Sequence, residues 1–128
     1  MPKILIADDE RAIARLIQVS LRHTDYQFVT ACDGREALYK IETERPDLII
    51  LDVNMPYMDG FAVLQQIRAR PETCDIPVIL FTARAHDCES FQQMASPKEA
   101  YLPKPFGMAK LLPLIKKFLK PPEDPGNL

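Results

Sequence analysis

Apolar residues in this chain arrive in two rhythms: short unbroken runs, and longer stretches in which they recur every three or four positions. The first rhythm predicts strands buried on both faces, the second amphipathic helices. Lys3 to Ala7 is a buried-strand run, after which Ile13, Leu16, Ile17 and Leu21 share one helical face, with Asp8 or Asp9 placed to cap its start. Gln27 to Ala31 reads as a weaker, half-exposed strand. Asp33 and Glu36 have the spacing of a capping box, ahead of a helix that turns Ala37, Leu38 and Ile41 inward and stops before Pro46. Leu48 to Leu51 is apolar throughout and belongs mid-sheet. Asp59-Gly60 then opens a helix with Phe61, Leu64 and Ile67 inward, which Pro71 ends. Val78 to Phe81, closed by Thr82, is another buried strand, and a faintly marked helix over Phe91, Met94 and Ala95 follows. Ala100 to Leu102 is a short last strand. Met108, Leu111, Leu112, Ile115, Phe118 and Leu119 mark the final helix, with Pro113 inside it, where a kink is expected.

The pattern is βα repeated five times, the mark of an α/β domain with a parallel sheet. At 128 residues it fits one domain, expected over residues 1–120, with a polar, proline-rich tail over 121–128 expected to be disordered. Hydrophobic residues make up 47% and charged residues 27%, a soluble balance, and no apolar run approaches membrane-spanning length. Met1-Pro2-Lys3 leads straight into the first strand with no signal-like apolar region, so a cytoplasmic location is expected. A formal charge of -2 offers no excess of positive charge for nucleic acid. Cys32, Cys74 and Cys88 are odd in number and lack metal-ligand spacing, which reads as free thiols.

Chemistry enters at the ends of the runs. Asp8-Asp9, Asp52 and Lys104 each stand directly after a strand segment, and the carboxyl ends of parallel strands are where an open α/β sheet gathers ligands. Asp8 and Asp9 alone need be no more than helix caps. With Asp52 beside them, three carboxylates would repel one another unless a cation intervened, and Mg²⁺ favours such hard oxygen ligands. Asp52 is the nucleophile candidate, since carboxylates form aspartyl-phosphate intermediates. Lys104 offers a charge to a phosphate oxygen, Thr82 a hydroxyl donor, and Ala83 a backbone N–H with room beside it.

Ile6-Ala7-Asp8-Asp9-Glu10, Asp52 through Gly60, Thr82-Ala83 and Tyr101-Leu102-Pro103-Lys104-Pro105-Phe106, in that order, resemble the receiver domain of two-component response regulators. The resemblance runs from about Lys3 to about Leu119. It implies a flavodoxin-like, doubly wound sheet of five parallel strands in order 2-1-3-4-5 with helices on both faces. It implies that Asp52 accepts a phosphoryl group from a histidine kinase or histidine phosphotransfer protein, with Mg²⁺ held by the side chains of Asp9 and Asp52, the backbone carbonyl of Asn54 and, through water, Asp8. Lys104 would pair with Asp52 and then with the phosphoryl oxygens, and the bond to Pro105 would be cis. Thr82 and Tyr101 would form a switching pair that alters the surface of the fourth helix, fifth strand and fifth helix, where a downstream protein target docks.

Two departures bear on that surface: Ser96-Pro97-Lys98-Glu99-Ala100 stands where a glycine usually ends the fourth helix, and Gly107 where an N-cap acid is usual. They favour a monomer when unphosphorylated. No effector sequence follows the final helix, so a stand-alone receiver acting through noncovalent contact is expected. The alternative is a receiver-shaped interaction module that is not phosphorylated. A haloacid-dehalogenase-type phosphohydrolase would carry an acid two positions after its nucleophile, where this chain has Asn54. A flavin-binding relative would not place Asp8-Asp9 against a phosphate. A signalling domain rather than a turnover enzyme is the resulting expectation.

Overall fold

The computed structural model describes residues 2–82, 96–104 and 108–119. In chain order the elements are β1 (Lys3–Ala7), α1 (Arg11–Ser20), β2 (Gln27–Ala31), α2 (Gly34–Glu44), β3 (Leu48–Asp52), α3 (Gly60–Ala69), β4 (Val78–Thr82), β5 (Glu99–Pro103) and α4 (Met108–Leu119). All the strands run parallel in one sheet, in the order β2-β1-β3-β4-β5. This is the flavodoxin-like order that the motifs imply. The helix read over Phe91, Met94 and Ala95, Ala83, Pro105, Gly107 and the tail 121–128 lie outside the described residues.

Strand alternation divides the core into two layers. Ile4, Ile6, Leu48, Ile50, Ile79 and Phe81 face one side, where Ala14, Ile17 and Leu21 on and after α1 and Leu111 and Ile115 of α4 cover them. Leu5, Ala7, Ile49, Leu51, Val78 and Leu80 face the other, against Ala37 and Ile41 of α2 and Val63 and Ile67 of α3. Every residue of β3 and β4 is buried, as continuous apolar runs require in a sheet covered on both faces. Ile50 pairs with Ile6 on one side and Ile79 on the other, so truncating it to Ala opens a cavity at the sheet centre, at a cost of about 2–5 kcal/mol.

Local chemistry sets the helix ends. Asp33 accepts from the Glu36 N–H at 2.8 Å, while Glu36 Oε1 accepts from the Cys32 N–H at 3.0 Å, a capping box whose return bond falls one residue early. Asp59 caps α3 through the Ala62 N–H at 2.9 Å. Arg45 closes α2 in a left-handed conformation with φ 49°, and Pro46 prevents continuation. The α4 helix runs through Pro113, which sits on its exposed face.

Three expectations need correction. Neither Asp8 nor Asp9 caps α1: Glu10 occupies that place, with no side-chain cap bond, because the Asp8 carboxylate is turned back to accept from the Glu10 N–H at 2.8 Å. Leu16 is half exposed rather than inward, since Ala14, Ile17 and Leu21 define the buried face. Strands β3 and β5 are longer than their apolar runs, reaching Asp52 and spanning Glu99–Pro103, because backbone pairing with the neighbouring strand continues past the last apolar residue. At the start of β5, Ser96 O accepts from the Glu99 N–H at 3.0 Å in a turn that carries Pro97 at its second position, where proline's fixed φ is favoured.

Candidate functional site

The carboxyl ends of β1, β3, β4 and β5 are brought level by the ladder. Beyond the last paired residues, the Asp8 N–H donates to Ala31 O at 3.1 Å, the Val53 N–H to Phe81 O at 2.9 Å and the Lys104 N–H to Thr82 O at 2.7 Å. These bonds bring Asp8, Asp52, Thr82 and Lys104 to one edge of the sheet. Gly60 secures the loop between them: a Cβ there would stand 2.4 Å from Asp52 O, so only glycine lets α3 begin this close to the strand end. On the far side of that loop, a Cβ on Gly34 would stand 2.1 Å from Met58 O.

Lys104 Nζ is shared. It lies 2.9 Å from Asp8 Oδ2, 3.1 Å from Asp52 Oδ2 and 3.7 Å from Glu10 Oε1. Asp8 is 2% and Asp52 4% exposed, so both carboxylates sit in a medium that penalises charge. Burial, followed by the neighbouring Asp8 charge, pushes Asp52 up to about 6 from the usual 3.8, against the opposing pull of Lys104 and of the Asn54 N–H. Burial lowers Lys104, but Asp8 and Asp52 together outweigh it and hold the ammonium above its ordinary range. One cation thus serves two buried acids and leaves a surplus of negative charge.

That surplus suits a second cation. Asp8 Oδ2 is buried and, although ion-paired with Lys104, has no directed hydrogen bond among the described residues. The carboxylates of Asp8, Asp9 and Glu10 have oxygens within 4.8 Å of one another. Asp8 also borders a solvent-open cleft of about 650 Å³ between α1 and β2, with Arg11, Arg15, Thr30 and Cys32. An all-oxygen donor set with an under-satisfied buried member fits a hard divalent ion such as Mg²⁺.

The remaining residues singled out from the sequence fall as follows. Asn54 is exposed and donates its N–H to Asp52 Oδ1 at 3.2 Å, which fixes that end of the carboxylate. Thr82 is buried at the end of β4. Tyr101 pairs in register with Leu80 and packs in the same core layer, the side to which Thr82, two residues beyond Leu80, also points. Its ring centroid is 6.5 Å from that of Phe61, and burial, then the Glu99 charge, raises its phenol above the usual range. Ala83 and Pro105 lie outside the described residues. Glu10 was missed by sequence reasoning; its signal was its place as the third of three consecutive acids.

The chain is also similar to known proteins of one family. A family model described as the response regulator receiver domain matches residues 4–116. The chain is 37% identical over 118 residues to the alkaline phosphatase synthesis transcriptional regulatory protein PhoP of Bacillus subtilis strain 168, covering 92% of this chain and 48% of PhoP. It spans about half the length of the curated relatives it matches. Among solved structures, the response regulator TrrA of Thermotoga maritima, in complex with Mg(2+)-BeF, superposes with a TM-score of 0.79 at 36% identity, over 93% of this chain and all (100%) of that one. The receiver domain of the sensor histidine kinase PA1611 of Pseudomonas aeruginosa PAO1, with a magnesium ion coordinated in its active site cleft, gives 0.78 at 29% identity, over 91% of this chain and 96% of that one. Among the described residues, no helix is long and apolar enough to cross a membrane.

Proposed function

Given that the chain belongs to the response regulator receiver family, we propose that it accepts a phosphoryl group on Asp52 and passes the resulting change in packing to a protein partner. The observation that carries this reading is the buried Asp52 carboxylate, held at a strand end by an ammonium that it shares with Asp8.

An Asp52 oxygen attacks phosphorus, the bond from phosphorus to the donor imidazole nitrogen breaks, and the released imidazole of the histidine kinase or phosphotransfer protein takes up a proton. Asp52 reacts as its carboxylate, the form that pairs with Lys104. Mg²⁺, when bound, supplies charge neutralisation between the acids and the phosphoryl oxygens. Asp9, Asp52 and the Asn54 carbonyl would hold it, with Asp8 acting through water. Lys104 balances the charge that moves from Asp52 to the phosphoryl oxygens. The Thr82 hydroxyl donates to those oxygens. The domain is a signalling element that uses its own carboxylate once per cycle rather than a catalyst released unchanged.

The output rests on Thr82 and Tyr101. Movement of the Thr82 hydroxyl toward a phosphoryl oxygen changes the space beside Tyr101, which rotates and remodels the surface around β5 and α4. Amide NMR spectra recorded on adding MgCl₂ and beryllofluoride test the reading. Shifts at Asp52, Thr82, Tyr101 and Lys104 that vanish in Asp52→Asn are expected, and an unresponsive wild-type spectrum would favour the unphosphorylated interaction module.

A further inference from the structure

We propose that Glu10 is a rim carboxylate that recruits the divalent cation to this site, an inference that rests on reading Asp8, Asp9 and Asp52 as the cation's holders. Glu10 occupies the N-cap of α1 with φ -92° and ψ 103°, where a short Asp, Asn, Ser or Thr side chain would reach back to a free amide of the first turn. Glutamate makes no such bond here, and the first turn of α1 contains no acid to complement its exposed amides. Helix formation therefore gains no cap bond from glutamate at this position, only the general attraction of its charge for the helix N-terminus.

The backbone gives another reason. The Glu10 N–H donates to Asp8 Oδ1 at 2.8 Å, folding residues 8–10 into a turn that gathers the three carboxylates, with oxygens within 4.8 Å of one another. Within that cluster the members differ. Asp8 is buried, and its Oδ2 lacks a directed hydrogen bond. The Glu10 side chain is 65% exposed, and Lys104 Nζ at 3.7 Å holds it more loosely than it holds Asp8 at 2.9 Å. An inner acid that shares its one ammonium with Asp52 and an outer acid with freedom to turn make a graded negative path from solvent to the strand ends.

The chemistry of Mg²⁺ matches such a gradient. The ion sheds water reluctantly and keeps several waters when bound. A carboxylate at the rim accepts hydrogen bonds from those retained waters and adds Coulomb attraction without entering the coordination shell. Its effect is that of one solvent-screened charge facing a divalent ion, roughly three- to tenfold in affinity at moderate salt.

Serine at position 10 separates this role from a structural one, because it should improve the helix while removing the charge. MgCl₂ titrations followed by amide NMR, without phosphodonor, are compared for wild type, Glu10→Ser and Glu10→Gln, together with thermal unfolding in EDTA. We expect Glu10→Ser to melt higher than wild type in EDTA, and both variants to bind Mg²⁺ roughly three- to tenfold more weakly, with the deficit shrinking as NaCl is raised. Variants that bind Mg²⁺ as tightly as wild type would overturn the role of Glu10 alone. If Glu10→Ser melts lower, Glu10→Gln decides the matter by affinity. A wild-type protein that takes up no Mg²⁺ would overturn the reading of the site along with it.

Discussion

Lys104 Nζ stands 3.1 Å from Asp52 Oδ2, bringing together residues from the ends of β3 and β5 that are 52 positions apart in sequence. The same nitrogen reaches Asp8 Oδ2 at 2.9 Å. Removing it leaves two buried acids facing each other without a shared cation. Lys104→Met should lower stability at pH 7 in EDTA by roughly 1–3 kcal/mol in urea unfolding, part of the penalty being relieved as Asp52 takes up a proton. On an Asp52→Asn background the same change should cost less. Equal losses in the two backgrounds would show that the pair is not coupled.

The raised Asp52 carboxyl has a consequence for stability. Burial and the Asp8 charge bring it to about 6 in the folded protein, against 3.8 in the unfolded chain. Between these values the folded state keeps a proton that the unfolded state has lost, so this group's contribution to stability falls as pH rises through the window. Asp52→Asn removes the effect. In EDTA it should be more stable than wild type at pH 7 by on the order of 2 kcal/mol, and the gap should close as pH drops toward 4. A gap that does not change with pH would contradict the assignment.

Two glycines at helix starts should respond against the usual trend. Alanine normally stabilises a helix relative to glycine by up to about 1 kcal/mol. At Gly60 the new Cβ would meet Asp52 O at 2.4 Å, and at Gly34 it would meet Met58 O at 2.1 Å, both backbone atoms with little freedom to yield. Gly60→Ala and Gly34→Ala should therefore each destabilise by roughly 1–3 kcal/mol in chemical denaturation. Gly60→Ala should also weaken Mg²⁺ uptake, because it displaces the strand end that carries Asp52. Stabilisation by either change would show that the loop is free to move.

How legible these features were depends on how local their causes are. Strands β1 and β2 could be bounded from the sequence because apolar composition changes sharply at Ala7 and Ala31. The caps Asp33 and Asp59 were legible because a short acid before a periodic stretch has one favoured use. Asp8 and Asp9 met the same local criterion, yet Glu10 took the N-cap position because Asp8 is drawn to Lys104 from the far end of the chain. Arg68 was unreadable for the same reason. Its guanidinium binds Glu99 Oε2 at 2.8 Å and the carbonyls of Cys74 and Ile76 at 3.1 and 2.7 Å, tying α3 to the base of β5. The strand-end placement of Asp8, Asp52, Thr82 and Lys104 and the strand order could be read, but the sharing of one ammonium between two acids depends on how the side chains turn at the assembled strand ends, which neither the pattern nor the order specifies.

The central claim is that Asp52 forms an acyl phosphate. The most direct measurement is to incubate the protein with acetyl phosphate and MgCl₂, trap the acyl phosphate by borohydride reduction, and locate the altered residue by peptide mass spectrometry. The account predicts reduction at Asp52, abolished by EDTA and absent in Asp52→Asn. Modification at another carboxylate, or none at Asp52 while Mg²⁺ is bound, would contradict it.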